Sequence, residues 1–181
     1  MRFLRWSREG IQGRASRLWT AAWPAGLVVG LGAEWLARGG QSLPGAGADL
    51  VVGWTLIACG LVGWSRRPQS RVGPLIALAG FAWFFGTLAS STIGVVAAFG
   101  SAVLFLHRGP LCHAIIGYPG GRLSHRLGVI VVAAAYVYAA VLSLARNNVV
   151  TIVVTFAVLA ATIWGYALAA GPDRRARVTA V

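Results

Sequence analysis

Long apolar runs, broken by short clusters of Gly, Pro, Ser and Arg, dominate the 181-residue chain. A membrane helix needs about 20 mostly apolar residues to cross roughly 30 Å of hydrocarbon. Six runs approach that length: 18–37, 50–64, 72–89, 93–112, 126–145 and 149–170. Between them lie RGGQSLPGAGAD, SRRPQSR, the short Ser90-Ser91-Thr92 turn, a Pro-Gly-Gly corner at 119–121, and Arg146-Asn147-Asn148. Pro74 suits the first turn of the third helix, where its missing N–H costs nothing. The pattern predicts an all-α integral membrane protein, a bundle of six transmembrane helices. A basic segment (1–17) would precede the six-helix domain (18–170), and a basic tail (171–181) would follow it.

The third and fourth runs leave one alternative. The apolar stretch from Ile93 to Leu106 is too short at about 1.5 Å per residue, so the fourth helix is expected to continue through His107 and Arg108 toward Cys112 or Gly117. A single tilted helix over 72–106 would give five spans instead.

Charge separates the two. All 16 basic residues are Arg, against four acidic residues, for a net charge of +12. With six spans and a cytoplasmic N-terminus, 14 of the 16 fall on the cytoplasmic side: the N-terminal group, Arg66, Arg67 and Arg71, then Arg108, Arg122 and Arg126, then the tail. Arg38 and Arg146 alone fall outside. That is the positive-inside pattern, and five spans would break it. Both termini are therefore expected in the cytoplasm of a multi-pass plasma-membrane protein. Arg108 is expected near the cytoplasmic edge, where it could snorkel.

Composition agrees. The chain is 57% hydrophobic and 11% charged, whereas soluble domains carry about 25% charged residues. The basic blocks sit between apolar runs, so they point to anionic headgroups rather than nucleic acid. The first apolar run is longer than a signal-peptide core and has no A-x-A site after it, so it reads as an uncleaved span. The preceding Leu4, Ile11 and Leu18, at heptad spacing, fit a surface-lying amphipathic segment; Gly10 and Gly13 weaken it, and a loose basic tail is the equal alternative.

Candidate chemistry is sparse. Glu34 is the only acidic residue inside a run, and Arg38 lies one turn on, so the two can meet at i,i+4. They read as an interfacial pair, or with Glu34 as a sensing carboxylate. His107, Cys112, His113 and His125 cluster in sequence but diverge on a helix, with no carboxylate to orient an imidazole. No metal or other cofactor is expected. Nucleotide-binding and hydrolase motifs are absent. Small-residue stripes, Gly26/Gly30 and Ala157/Ala161/Gly165/Ala169, permit close helix approach, either within the bundle or at a dimer face. Trp54 and Trp83 lie deep in their runs and are expected to pack inside.

Two motifs carry a family resemblance over residues 50–140. The corner Tyr118, Pro119, Gly121, Arg122, Leu123 and the basic connector Arg66, Arg67, Arg71, followed by Gly73 and Leu75, resemble the N-terminal membrane region of actinobacterial two-component sensor histidine kinases. That region precedes a phosphoacceptor helix pair and an ATP-binding domain, which this sequence lacks. The resemblance implies a non-catalytic sensor or signal-transmitting module, with the lipid bilayer and either a second copy or a cytoplasmic kinase or other output protein as partners. A small transporter or channel, using Thr55, Ser101, Thr151, Thr155 and Thr162, or an accessory membrane subunit, is the alternative.

Overall fold

A computed structural model describes the backbone over residues 3–168 and the side chains over 19–168; the basic tail and the side chains of the N-terminal segment lie outside it. Among the described residues every regular element is helical: α1 (Phe3–Ala37), α2 (Leu43–Arg66), α3 (Val72–Thr87), α4 (Gly94–Val103), α5 (Arg108–Ile116), α6 (Arg126–Ala140), α7 (Leu142–Ala145) and α8 (Asn148–Leu168). Four stretches are long and apolar enough to cross a membrane: Leu43–Arg66, Val72–Ser90, Gly94–Ile116 and Asn148–Leu168. The shorter α6 is also apolar.

Local chemistry sets the helix limits. α2 begins well before the apolar run that predicts it. Ser42 caps it, its hydroxyl accepting from Gly45 N at 3.3 Å, and a Pro occupies the first turn, so half of the expected Gly/Pro loop is helix. α3 tightens into a 3₁₀ turn at Leu88–Ser90. Ser91 Oγ then accepts from Ile93 N at 3.2 Å. His125 caps α6 through Nδ1, which accepts from Gly128 N at 2.9 Å. Asn147 caps α8, its Oδ1 accepting from Val149 N and Val150 N at 2.9 and 3.2 Å.

Two expected helices are broken. The fourth is interrupted between Val103 and Arg108, and the fifth at Val141, whose backbone is extended (φ −98, ψ 103).

α2 and α3 form the tightest pair, packed through glycine. A Cβ on Gly60 would strike the backbone of Ala77 and Gly73, and one on Gly73 the backbone of Trp64 and Gly60. Farther along, Gly80 meets Gly53 O and Ile57. α1 lies across this hairpin with Gly26 against Ile57, and Gly30 against Trp54 and Phe84. Ala33, Ile57, Leu61, Ala77 and Phe84 form the buried centre. A second centre joins Ile116 of α5, Val131 and Val132 of α6, and Ala161 of α8. Both small-residue stripes therefore pack inside the bundle as far as they are described; Ala169 lies beyond. Half of the apolar window of α3 is buried (50%), against 11% of that of α8. Phe156, Leu159, Ile163 and Trp164 of α8 face outward.

Candidate functional sites at the two ends and the centre

The helices alternate in direction, so α2–α3 and α5–α6 turn at one end of the bundle, while α1–α2, α3–α4 and α7–α8 turn at the other. The basic connector and the Pro-Gly-Gly corner thus share an end. They are bonded to each other. Arg71 N donates to Gly120 O at 3.0 Å, and Ser70 Oγ donates to Pro119 O at 2.8 Å. Ser70 Oγ also accepts from Val72 N at 3.2 Å, tying the corner to the first turn of α3.

Gly121 makes this contact possible. It sits at φ +70, a conformation costly for residues with a Cβ. A Cβ there would also collide with Arg71 Cβ at 2.7 Å and Val72 N at 2.8 Å. Its N–H donates to Gly117 O at 2.7 Å. Gly120, by contrast, faces open space. Only the second glycine of the pair is required. Leu123 packs on the Ile116–Val131–Val132–Ala161 centre, and Tyr118 is half-buried. Arg66, Arg67, Arg71, Arg122 and Arg126 are all exposed around this end. The sequence marks the corner and the connector separately; Ser70, which joins them, carries no sequence signal.

The centre holds Arg108. It does not sit at the corner end. The neighbouring Gly109 abuts the Tyr136 ring, ten residues into α6. The Arg108 guanidinium donates to Tyr138 Oη and, at 3.2 Å, to Ala145 O near the far end of α6–α7. It lies 4.2 Å from the Phe105 ring centroid and 5.5 Å from that of Tyr138. The Tyr138 hydroxyl in turn lies 2.8 Å from Thr151 Oγ1 of α8. The placement at the cytoplasmic edge is therefore corrected: neutral acceptors and ring faces inside the bundle hold this cation, so it has no need to snorkel. The bias of the remaining Arg residues between the two ends survives without it.

The histidine cluster does not converge. His107 packs edge-on to Trp83 (centroids 4.9 Å apart), His113 Nδ1 lies 3.5 Å from Tyr136 Oη, and His125 caps α6. Among the described residues no group of three His, Cys, Asp or Glu side chains could hold a metal. Cys59 and Cys112 are free thiols.

At the end opposite the corner, Glu34 is buried at 8% exposure, and neither carboxylate oxygen has a hydrogen-bond partner. The structure does not pair it with Arg38, whose guanidinium lies 4.4 Å from the Trp35 ring centroid. Gln41 Nε2 donates to Asp49 Oδ2, while Gln41 Oε1 is buried without a partner. The α1–α2 connector is pressed onto the 3₁₀ turn: a Cβ on Gly40 would strike Ser90 O. The signal for this site was the lone acidic residue in an apolar run; nothing in the sequence marked Gln41.

No family model, no curated protein and no solved structure matches the chain.

Proposed function

We propose that this chain is a six-span, non-catalytic membrane module that transmits a signal to a cytoplasmic output, as its resemblance to sensor histidine kinase membrane regions implies. In this reading the apolar half of α1 (18–37) and the α6–α7 segment join the four long apolar helices as spans. The corner end faces the cytoplasm, and both termini lie there. The exposed Arg66, Arg67, Arg71, Arg122 and Arg126 against Arg38 and Arg146 at the opposite end favour that orientation.

One observation carries the reading: the connector and the corner, the two motifs behind the resemblance, are hydrogen-bonded together although about fifty residues separate them. The joint links the start of α3 to the α5–α6 turn. A displacement of α5 or α6 is then passed to α3 and, through the α6–α8 contact at Ala161, to the last span that leads to the Arg-rich tail. The outer connectors are short, so a stimulus enters between helices or through the bilayer.

Three of the five hydroxyls that a transport path could use are engaged within their own helix. Thr151, Thr155 and Thr162 donate to the carbonyls of Asn147, Thr151 and Val158 respectively, each one turn back along the chain, the ordinary role of hydroxyls in membrane helices.

The test is a fusion. A histidine kinase catalytic region is joined after Arg177, and autophosphorylation is measured in proteoliposomes. Gly121→Ala, which disrupts the joint, is expected to shift the basal phosphorylation level relative to the unaltered fusion. Equal phosphorylation by the two fusions, with both correctly inserted, would count against a transmitting role.

A further inference from the structure

Arg108 is held in place without being neutralised. Its Nη1 donates to both Tyr138 Oη and Ala145 O, and its Cζ lies 4.2 Å from the Phe105 ring centroid. Tyr138 is fixed in turn. Thr151 Oγ1 donates to Asn147 O, so the tyrosine hydroxyl donates to Thr151 Oγ1 at 2.8 Å. Two helix breaks flank the group: one between Val103 and Arg108, the other at Val141, between the two residues that hold Nη1. All of these partners are neutral. α5 packs on α3, α6 and α8, and the sequence has no acidic residue between Asp49 and Asp173. An arginine cannot shed its proton to escape burial, and a charge without a counter-charge inside a membrane bundle is costly. The guanidinium also keeps donors in reserve. Among the described residues no group accepts from Nε or Nη2, and neither atom is enclosed by protein. These two nitrogens share one edge of the guanidinium. That edge presents two parallel N–H bonds, the shape that grips two oxygens of one phosphate or carboxylate.

We infer that Arg108 anchors a binding site for a phosphate-type oxyanion, gripped by the Nε and Nη2 edge. Tyr138, Thr151 and Ala145 O aim that edge and leave it open. The counter-charge has to come from outside the helices around Arg108, because none of them carries a carboxylate. Position narrows the class of anion. Ala145 and Asn147 flank the α7–α8 turn at the end opposite the corner, and Thr151 lies in the first turn of α8. In a bilayer this is the approach to the headgroup layer, where basic pockets between helices take lipid phosphates. A lipid phosphodiester and a free phosphate ion offer the guanidinium the same pair of oxygens. The site rests on the placement of the chain in a membrane and does not depend on the signalling role.

The experiment uses the full chain in dodecyl maltoside micelles free of phospholipid. Thermal unfolding is followed by tryptophan fluorescence against increasing inorganic phosphate, with NaCl of matched ionic strength as control. A second series adds phosphatidylglycerol, with diacylglycerol, which lacks the phosphate, as control. The expected result is a saturable rise in melting temperature with a phosphate-bearing probe and none with its control. A rise with inorganic phosphate identifies a site open to the free ion, and a rise with phosphatidylglycerol alone identifies a lipid headgroup site. Arg108→Gln should raise the dissociation constant about tenfold or more, the loss of a charged hydrogen-bonding partner. Arg108→Lys keeps the charge but not the two-pronged edge, so it should also bind more weakly, which keeps the test open if Arg108→Gln fails to fold. Arg126→Gln, at the corner end, should bind like the unaltered chain. No rise beyond the controls in either series would overturn the site. So would binding undiminished in both Arg108 variants, or weakened as much by Arg126→Gln, which would show a response to net charge alone.

Discussion

The two ends of the bundle are held together differently. Near the corner, backbone lies on backbone: Gly60 and Gly73 let α2 and α3 touch, and Gly121 lets the corner close on Arg71 and Val72. Its polar groups are bonded across the joint through Ser70, Arg71, Pro119 and Gly120. Toward the other end the glycines are of two kinds: Gly30 and Gly53 receive the Phe84 ring, whereas Gly40 and Gly100 again lie against backbone, at Ser90 and at Leu88–Ala89. There Glu34, Gln41 and Trp83 leave buried polar atoms unpaired. In lipid, helices gain little from hiding apolar surface from one another, so close packing and hydrogen bonds carry their association. Both ends have both, but at the end opposite the corner the bonds of Gln41 and Arg108 stand beside buried polar groups that are left unpaired.

Glycine substitutions break the comparison most sharply. Gly73→Val should cost about 3 kcal/mol, because no side-chain movement can relieve a clash between backbones. Reversible unfolding in mixed micelles, followed by tryptophan fluorescence, measures it. Gly121→Ala should cost about 2 kcal/mol by the same assay, from its left-handed backbone and the contact with Arg71. At the opposite end Gly53→Ala should cost about 1–2 kcal/mol, since its clash is with the Phe84 ring. Adding Phe84→Leu should recover about 1 kcal/mol in the double variant, a coupling that a double-mutant cycle reads directly. Ser70→Ala should have the smallest effect, about 1 kcal/mol for one hydrogen bond. Faster amide exchange at Arg71, monitored by hydrogen–deuterium exchange, would show that this bond holds the corner in place.

Much of the fold was legible because the bilayer imposes a coarse rule: an apolar run must be helical, since no water can satisfy its backbone. The helix caps were partly readable too, in Asn147 and the Ser91 turn. The early start of α2 was not, because Ser42 and Pro44 set it without an apolar signal. The break at Val141 and the inward position of Arg108 were also hidden. An Arg in an apolar run looks the same whether it reaches for water or for Tyr138 and Ala145 O across the bundle. The candidate site at Glu34 was half legible: the residue stood out by type, but its i,i+4 spacing to Arg38 promised a partner that Trp35 takes instead.

By itself, then, the sequence determined the helical class, the apolar segments and the uneven distribution of Arg, since these follow from composition and period alone. Tertiary structure decided which glycine of the corner is indispensable, which motif it closes upon, and which charges go unanswered. Those depend on contacts between residues far apart in the chain, such as Ser70 with Pro119 and Arg108 with Ala145. Local pattern holds no record of such contacts, because each partner is chosen by the packing of helices that neither residue belongs to alone.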